Sequence, residues 1–250
     1  MRSKASRQRK ILEELDLVPT LRVVELARVL DVSTETVRRD LDEMTGQGVV
    51  NRTYGGVTRS YAGTTAIHHA CYAEEHQRIA KATLPLLRGT RVLMMGSGST
   101  MAHLARAIAL ELSHLTVFTH SIAVATTLST NTSIRVVLVP GFYEHTEAAA
   151  FGAYATEFIG RLHADVALLG AGGLGPDGPS DAQIDMAAVY ATMARQCGRA
   201  IILADHSTFG KLHPVCYLPW ANVETLVTDG YPEPALRDRI QNARVRLLQA

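Results

Sequence analysis

The chain has 250 residues, of which 47% are hydrophobic and 20% charged, and its formal net charge is +1. This composition excludes a disordered chain, and the length favours a small domain beside a larger one over a single large domain. The balanced charge argues against a histone-like binder, so a nucleic-acid surface would have to be local.

The cysteines and the N-terminus indicate the compartment. Cys71, Cys197 and Cys216 lie far apart and form no Cys-x-x-Cys pair, so the sequence predicts neither a disulfide framework nor a zinc knuckle. The basic first ten residues lead into no apolar segment of signal-peptide or transmembrane length. We therefore expect a cytoplasmic protein that does not enter the membrane, and the sequence suggests no cofactor.

Three amphipathic helices are predicted within the first fifty residues. Their apolar residues recur at helical spacing in three sets: Ile11, Leu12 and Leu15; Val23, Leu26, Ala27 and Leu30; Val37, Leu41 and Met44. About three residues separate the second set from the third, and Ser33 is a good N-cap for the third helix. This spacing is typical of a helix-turn-helix, whose second helix enters the major groove of DNA.

The predicted outer face of the third helix carries hydroxyl, carboxylate and guanidinium groups. Its residues are Ser33, Thr34, Glu35, Thr36, Arg38 and Arg39. Such groups read base edges and hold phosphates. The alternative for the arginines is an ordinary solvated helix face.

Residues 49–59 are predicted to form two short strands around the turn Gly55-Gly56, as in the wing of a winged helix. Arg52 and Arg59 would then flank the DNA backbone or the minor groove. The alternative is an ordinary hairpin turn.

Residues 32–41, 48–52 and 54–57 resemble the DeoR family of bacterial regulators. In that family a helix with the pattern Ser-x-x-Thr-hydrophobic-Arg-Arg-Asp-Leu precedes a wing with the pattern Arg-x-His-Gly-Gly, and here only the histidine is replaced, by Tyr54. The resemblance implies that the helix over 33–45 recognises DNA and that the wing residues Arg52, Tyr54, Gly55 and Gly56 take part.

We predict a winged helix-turn-helix domain over 1–59, a linker over 60–75 and an α/β effector-sensing domain over 76–250. The linker contains His68, His69 and Cys71, and His76 follows directly after it. A metal site there is conceivable, but the spacing matches no common site, so surface histidines are the favoured interpretation.

Six short apolar runs alternate with helical patterns in the larger domain, at 91–95, 115–118, 135–139, 165–169, 200–204 and 225–227. This alternation predicts an α/β domain with a largely parallel sheet. Ligands of such sheets bind beyond the carboxyl ends of the strands.

Three loops follow these runs. Residues 96–100 combine glycines and hydroxyls before a helix, a plausible anion cradle or simply a tight turn. The glycine-rich segment 170–178 would let a ligand approach the backbone. Residues 205–211 bring together acid, imidazole, hydroxyl and amine groups, which would contact a ligand or merely cap a helix beside a solvated lysine.

The larger domain also resembles the DeoR sensor domain, whose sheet is similar to those of ribose-5-phosphate isomerase and glucosamine-6-phosphate deaminase and which usually binds phosphorylated sugars. The candidate effector-binding residues are Gly96, Ser97, Gly98, Ser99, Thr100, Thr119, His120, Gly170, Gly172, Gly173, Asp205, His206 and Lys211.

The chain departs from the family at several of these loops. The family usually has Asp at Gly96, Asn at His120, Gly at Pro140 and Lys at Thr208, and Met186, Ala188 and Tyr190 stand where charged side chains are common. Losing the lysine removes a natural phosphate partner, although Lys211 could replace it if the loop refolds. The effector is thus a phosphorylated sugar, a less charged or differently shaped molecule, or absent.

The leading hypothesis is a homo-oligomeric (dimeric or tetrameric) repressor of carbohydrate-metabolism genes that binds an operator in double-stranded DNA and responds to a small effector. One alternative is a sugar-phosphate isomerase or deaminase with a DNA-binding appendage, in which Asp205 and His206 act as acid and base. The other is a ligand-independent DNA-binding oligomer.

Overall fold

A computed structural model of the chain describes residues 4–18, 20–46, 50–53, 55–59, 72–145 and 147–250. Its contacts divide the chain into two compact units, Met1–Ala73 and Glu74–Ala250. Within the described ranges, every helix is too short or too polar to cross a lipid bilayer.

The N-terminal unit contains three helices and a small sheet. Its elements are α1 (Lys4–Leu17), β1 (Thr20–Arg22), α2 (Val23–Leu30), α3 (Thr34–Gly46), β2 (Val50–Thr53) and β3 (Gly56–Arg59). The strands are antiparallel in the order β1-β3-β2. The three predicted helices and the hairpin are confirmed, whereas the short strand β1 was not predicted.

The helices form because the apolar residues predicted from periodicity meet in one core. Val37, Leu41 and Met44 of α3 are buried there with the apolar residues of α1 and α2. Asp31 ends α2 in the left-handed conformation at φ 54°, and the Ser33 hydroxyl accepts a hydrogen bond of 3.2 Å from the Thr36 amide. The turn between α2 and α3 is therefore fixed at both ends.

The Gly-Gly turn of the hairpin needs a glycine at both positions, for different reasons. Gly55 has φ +78°, a conformation that side chains disfavour. A Cβ on Gly56 would lie 2.5 Å from the carbonyl oxygen of Leu21, because β3 pairs closely with β1. These contacts attach the wing to the start of α2.

The C-terminal unit is an α/β domain. Its helices are α4 (Ala73–Thr83), α5 (Ser99–Glu111), α6 (Ile122–Leu128), α7 (Ala153–Ile159), α8 (Ile184–Arg195) and α9 (Pro234–Asn242). Its strands are β4 (Val92–Met95), β5 (Thr116–Thr119), β6 (Arg135–Leu138), β7 (Phe142–Glu144), β8 (Ala149–Phe151), β9 (Ala164–Leu169), β10 (Gly173–Leu174), β11 (Pro179–Asp181), β12 (Cys197–Leu203), β13 (Val215–Cys216), β14 (Thr225–Thr228) and β15 (Arg246–Gln249). Helix α4 begins at Ala73, so residues 73–75 of the predicted linker are helical, while residues 60–71 lie outside the described ranges.

Seven strands form one parallel sheet in the order β15-β14-β12-β9-β4-β5-β6. The sheet is covered on both faces: Leu93 and Met95 point into one apolar core and Met94 into the other. All six predicted strands are confirmed, and the fold is the predicted α/β domain. The parallel order places the loops after β4, β5, β9, β12 and β14 at one edge, which we call the carboxyl edge.

Candidate DNA-binding surface and effector site

The outer face of α3 is exposed, as the helical periodicity predicts. Glu35, Arg38 and Arg39 are exposed, and Arg38 Nη1 lies 3.6 Å from Glu35 Oε2. The Ser33 and Thr36 hydroxyls are 2.9 Å apart, and Thr34 and Thr36 are half-buried. Two guanidinium groups near the start of the helix are thus exposed to solvent, whereas the Ser33 hydroxyl caps the helix.

Asp40 lies within the same motif but belongs to the protein interior. Its carboxylate accepts two hydrogen bonds from Arg7 of α1, 2.8 Å from Nε and 3.1 Å from Nη2. The hydrogen bond with Asp40 raises the pKa of Arg7. The Arg-Arg-Asp sequence therefore combines two outward arginines with an inward acid that fixes α3 against α1.

The wing presents Arg52 at the surface. Its Nη2 lies 2.6 Å from the Asp42 carboxylate of α3, so this guanidinium forms an ion pair within the unit. Gly55 and Gly56 form the turn described above. Tyr54 lies outside the described residues, and so does the side chain of Arg59.

In the C-terminal unit, the loop after β4 is held by Tyr190 of α8. The Tyr190 hydroxyl accepts a hydrogen bond from the Ser97 amide and donates one to the Ser97 carbonyl, both at 3.1 Å. A Cβ on Gly96 would lie only 2.8 Å from Cε1 of the Tyr190 ring. The tyrosine ring therefore occupies the space that a side chain at position 96 would need.

The rest of this loop begins α5. Gly98 precedes the helix at φ +104°, a conformation that favours glycine, and Ser99 and Thr100 are buried in the first turn. The predicted cradle thus has a helix N-terminus, but its Ser97 amide is already bonded to Tyr190.

His120 is fully buried after β5. Its Nδ1 lies 3.1 Å from the Ala150 carbonyl, which can only accept, so Nδ1 carries the proton and Nε2 is a bare acceptor. Burial lowers the pKa of His120 to about 4, although the hydrogen bond to Ala150 works in the opposite direction. Within the described residues, Nε2 has no hydrogen-bond partner.

The imidazole of His120 packs in an aromatic cluster, which consists of His120, Phe151, Tyr190 and Tyr217. Successive ring centroids are 5.1 Å apart for His120 and Phe151, 5.8 Å for His120 and Tyr190, and 5.3 Å for the two tyrosines. Thr119, also predicted as an effector contact, is buried beside the cluster, and its hydroxyl accepts a hydrogen bond of 3.1 Å from the Ser121 amide.

The glycines after β9 allow close packing of the chain. A Cβ on Gly172 would lie 3.1 Å from the His213 ring, and one on Gly173 would collide with the backbone of Lys211. The Gly170 carbonyl accepts a hydrogen bond from the Tyr217 hydroxyl. These glycines therefore bring strands β10, β11 and β13 together, a reason that differs from the predicted approach of a ligand.

The loop after β12 is fixed by two carboxylate–imidazole pairs. His76 Nε2 of α4 lies 3.0 Å from Asp205 Oδ2, and both residues are buried. His206 Nδ1 lies 2.6 Å from Asp229 Oδ2 after β14, and Arg78 Nη2 lies 3.9 Å from the same oxygen. The prediction that His76 is a surface histidine is wrong, because α4 turns it into the domain. His68, His69 and Cys71 lie outside the described residues.

In the pair of His206 and Asp229, each residue favours the charged form of the other. The hydrogen bond to Asp229 raises the pKa of His206. Burial tends to raise the pKa of Asp229, but the hydrogen bonds from the ring and amide of His206 lower it. Asp205 and His206, which the enzyme hypothesis pairs as acid and base, therefore each have a different partner.

The end of this loop holds Thr208 and Lys211. Thr208 stands where the family has lysine; it is buried, and its hydroxyl donates a hydrogen bond of 2.8 Å to the Asp205 carbonyl. Lys211 is half-buried, and its amide donates to the Thr208 carbonyl at 3.3 Å.

The structure thus groups the predicted effector residues around two centres, Tyr190 and the Asp205 loop. Sequence reasoning missed the contacts of Tyr190, Tyr217 and His76, and also Asp181 of β11. Asp181 is buried, and burial raises its pKa. The signal in the sequence was the joint loss of charge at position 96, after β4, and at position 190, in α8, where the family usually carries charged side chains.

Each of the two units matches a known family of domains. Residues 7–61 match the DeoR-like helix-turn-helix domain, and residues 72–230 match the DeoR C terminal sensor domain. The chain is 30% identical to the HTH-type transcriptional repressor CsqR of Escherichia coli (strain K12), over 91% of this chain and 88% of that protein. It is 26% identical to the Glycerol-3-phosphate regulon repressor of the same organism, over 89% of this chain and 90% of that protein.

A solved structure is similar in fold alone. The chain aligns with the tetrameric eIF2B-beta2-delta2 complex from C. thermophilum with a TM-score of 0.50 and 13% identity. The alignment covers 94% of this chain and 81% of that one.

Proposed function

Because the chain belongs to the DeoR family of DNA-binding transcriptional regulators, we propose that it represses carbohydrate-metabolism genes by binding an operator through α3 and the wing. The observation that carries this proposal is the exposed pair Arg38 and Arg39 on a helix whose opposite face is buried. A guanidinium group can make two hydrogen bonds to guanine or hold a phosphate, which is what an operator contact requires.

Repression of carbohydrate genes is supported by the names of similar proteins. CsqR is a repressor, and the second relative is the repressor of the glycerol-3-phosphate regulon. In our proposal, this chain works in the cytoplasm as a homo-oligomer, because one recognition helix reads too few base pairs to define an operator.

The carboxyl edge of the sensor unit is the proposed effector site. Asp205 and His206 lie in a loop that His76 and Arg78 of α4 also reach, and α4 begins at the last residue of the N-terminal unit. An effector that displaces these contacts would alter α4 and with it the DNA affinity, provided that it binds the two arrangements differently.

The experiment is capture of genomic fragments by the purified full-length protein, followed by sequencing and by titration of the enriched fragment. We expect one or a few fragments that lie upstream of carbohydrate genes, bound at least a thousandfold more tightly than unrelated DNA at the same salt concentration, as specific regulators do. Uniform capture of all fragments would contradict the proposal. The same protein incubated with ribose 5-phosphate and glucosamine 6-phosphate tests the enzyme alternative through product formation.

A further inference from the structure

We infer that the effector of this chain is an uncharged polyhydroxylated molecule, a polyol or an unphosphorylated sugar, and that Tyr190 excludes its phosphorylated form. This inference rests on the proposed function, in which the carboxyl edge binds an effector. It concerns the chemistry of the ligand and the residue that selects it.

Tyr190 takes the place of an anion in the loop after β4. The Ser97 amide, which opens the predicted anion cradle, donates to the Tyr190 hydroxyl, and the Ser97 hydroxyl lies 3.3 Å from the same oxygen. Ser97 is only 2% exposed. A phosphate could use this amide only by expelling a buried phenol that already bonds to it, which would leave buried groups unpaired.

The loop after β12 lacks the lysine that the family usually carries there. Thr208 stands at the position of the family lysine, and its hydroxyl is bonded to the Asp205 carbonyl. The imidazoles nearby, His76 and His206, already face carboxylates. A phosphate would therefore lack the charge-assisted bond that a lysine at position 208 supplies to offset its loss of water.

Acidic groups lie close enough to Tyr190 to act on it electrostatically. Burial is the main reason that the pKa of Tyr190 is raised, and the negative charges of Asp181 and Glu147 raise it further. Asp181 is itself buried, and its strand β11 contacts α8, the helix that carries Tyr190. A doubly charged phosphate would meet these carboxylates in a medium that screens charge poorly, whereas a hydroxyl group could donate to them.

Several buried polar atoms lack a hydrogen-bond partner within the described part of the chain. Three lie at the carboxyl ends of β5, β12 and β14: His120 Nε2, the Ser207 hydroxyl and the Thr228 hydroxyl. All three groups are uncharged. Two are hydroxyls, and the lowered pKa of His120 keeps its ring neutral. Buried polar groups need hydrogen-bond partners, and hydroxyl groups can serve all three since they both donate and accept.

The test is a comparison of matched pairs with the full-length protein. The probes are glycerol, D-ribose, ribitol and D-glucose, each beside its terminal phosphate ester, and thermal unfolding is followed by the fluorescence of Trp220, the one tryptophan of the chain. A ligand of the native state raises the midpoint by mass action. We expect at least one neutral probe to raise it by several degrees and its ester to raise it less, with a Kd at least tenfold weaker by calorimetry.

Substitution of Tyr190 tests the selectivity. Tyr190→Leu releases the Ser97 amide, so we expect the tenfold preference for the neutral probe to fall severalfold and inorganic phosphate to raise the midpoint more than it does in the wild type, at equal ionic strength. Tyr190→Phe keeps the ring and removes only the hydroxyl, and it should reduce the preference even if the leucine variant is too unstable. Tyr154→Leu, at an exposed site on α7, is the matched control.

The inference is overturned if phosphate esters stabilise the wild-type protein more than their neutral partners, if no neutral probe binds, or if both Tyr190 variants keep the full preference. Operator titration of the same preparation separates this result from the proposed function. If the wild-type protein binds an operator but does not prefer the neutral probes, only the inference is refuted. If it prefers a neutral probe but binds no DNA fragment specifically, only the proposed regulatory function is refuted.

Discussion

His76 Nε2 lies 3.0 Å from Asp205 Oδ2, and this buried pair joins the first turn of α4 to the carboxyl edge of the sheet. Asp205 also accepts a hydrogen bond of 2.9 Å from the Ser207 amide. His76, which lies only a few residues after the N-terminal unit, therefore bonds directly to a proposed effector loop.

We predict that His76→Ala destabilises the C-terminal unit by about 3 kcal/mol, because it leaves the Asp205 carboxylate buried without its imidazole. Urea unfolding followed by Trp220 fluorescence measures this, since Trp220 is buried in that unit. His163→Ala, at an exposed site, should change the free energy of unfolding by less than about 0.5 kcal/mol. Equal stabilities of the two variants would show that the pair contributes nothing.

Arg7→Ala should loosen the N-terminal unit by about 1–3 kcal/mol, because the buried Asp40 carboxylate loses both of its bonds to the guanidinium. Amide hydrogen exchange of peptides from α1 and α3 measures the local stability, and faster exchange is expected in both. Arg28→Ala removes an exposed arginine from α2 and is the control. If the peptides exchange at the same rate in both variants, Arg7 does not fix α3.

The buried imidazole of His120 predicts a loss of stability in acid. Its folded pKa, about 4, lies below the ordinary value of 6.5, so the unfolded chain binds more protons between these values and stability falls as the pH drops from 6.5 towards 4. For a shift of this size the loss approaches about 3 kcal/mol.

The measurement is urea unfolding at a series of pH values for the wild type and for His120→Asn, which cannot take up a proton in this range. The difference between the two free energies of unfolding should change between pH 6.5 and 4 and stay constant above pH 7. A difference that does not vary with pH would mean that His120 is not held neutral.

Periodicity in the sequence was sufficient for much of the fold. The three N-terminal helices and six parallel strands follow from the spacing of apolar residues, because each element buries one face or both. Strand β15 escaped prediction since Arg246 and Gln249 are exposed at the sheet edge and only Leu247 and Leu248 are apolar. Edge strands carry a weaker apolar signal than central ones.

The candidate effector site was harder to predict than the fold. The sequence identified the loops, and it identified Gly96 and Tyr190 separately as departures from the family. It could not show that they meet, because Ser97 and Tyr190 are 93 residues apart, and the His76–Asp205 pair spans 129 residues. Such contacts depend on how α4 and α8 pack on the sheet, which local spacing does not encode.

Operator binding by Arg38→Ala and Arg39→Ala, titrated at several salt concentrations, tests most directly whether α3 meets DNA. The control is Arg135→Ala, at an exposed site in the sensor unit. Each α3 variant should lose about 1–3 kcal/mol of binding free energy for a base contact, or lower the salt slope by about one for a phosphate contact. The control should bind like the wild type. Wild-type affinity and salt slope in both α3 variants would contradict the account, because α3 would then not meet DNA.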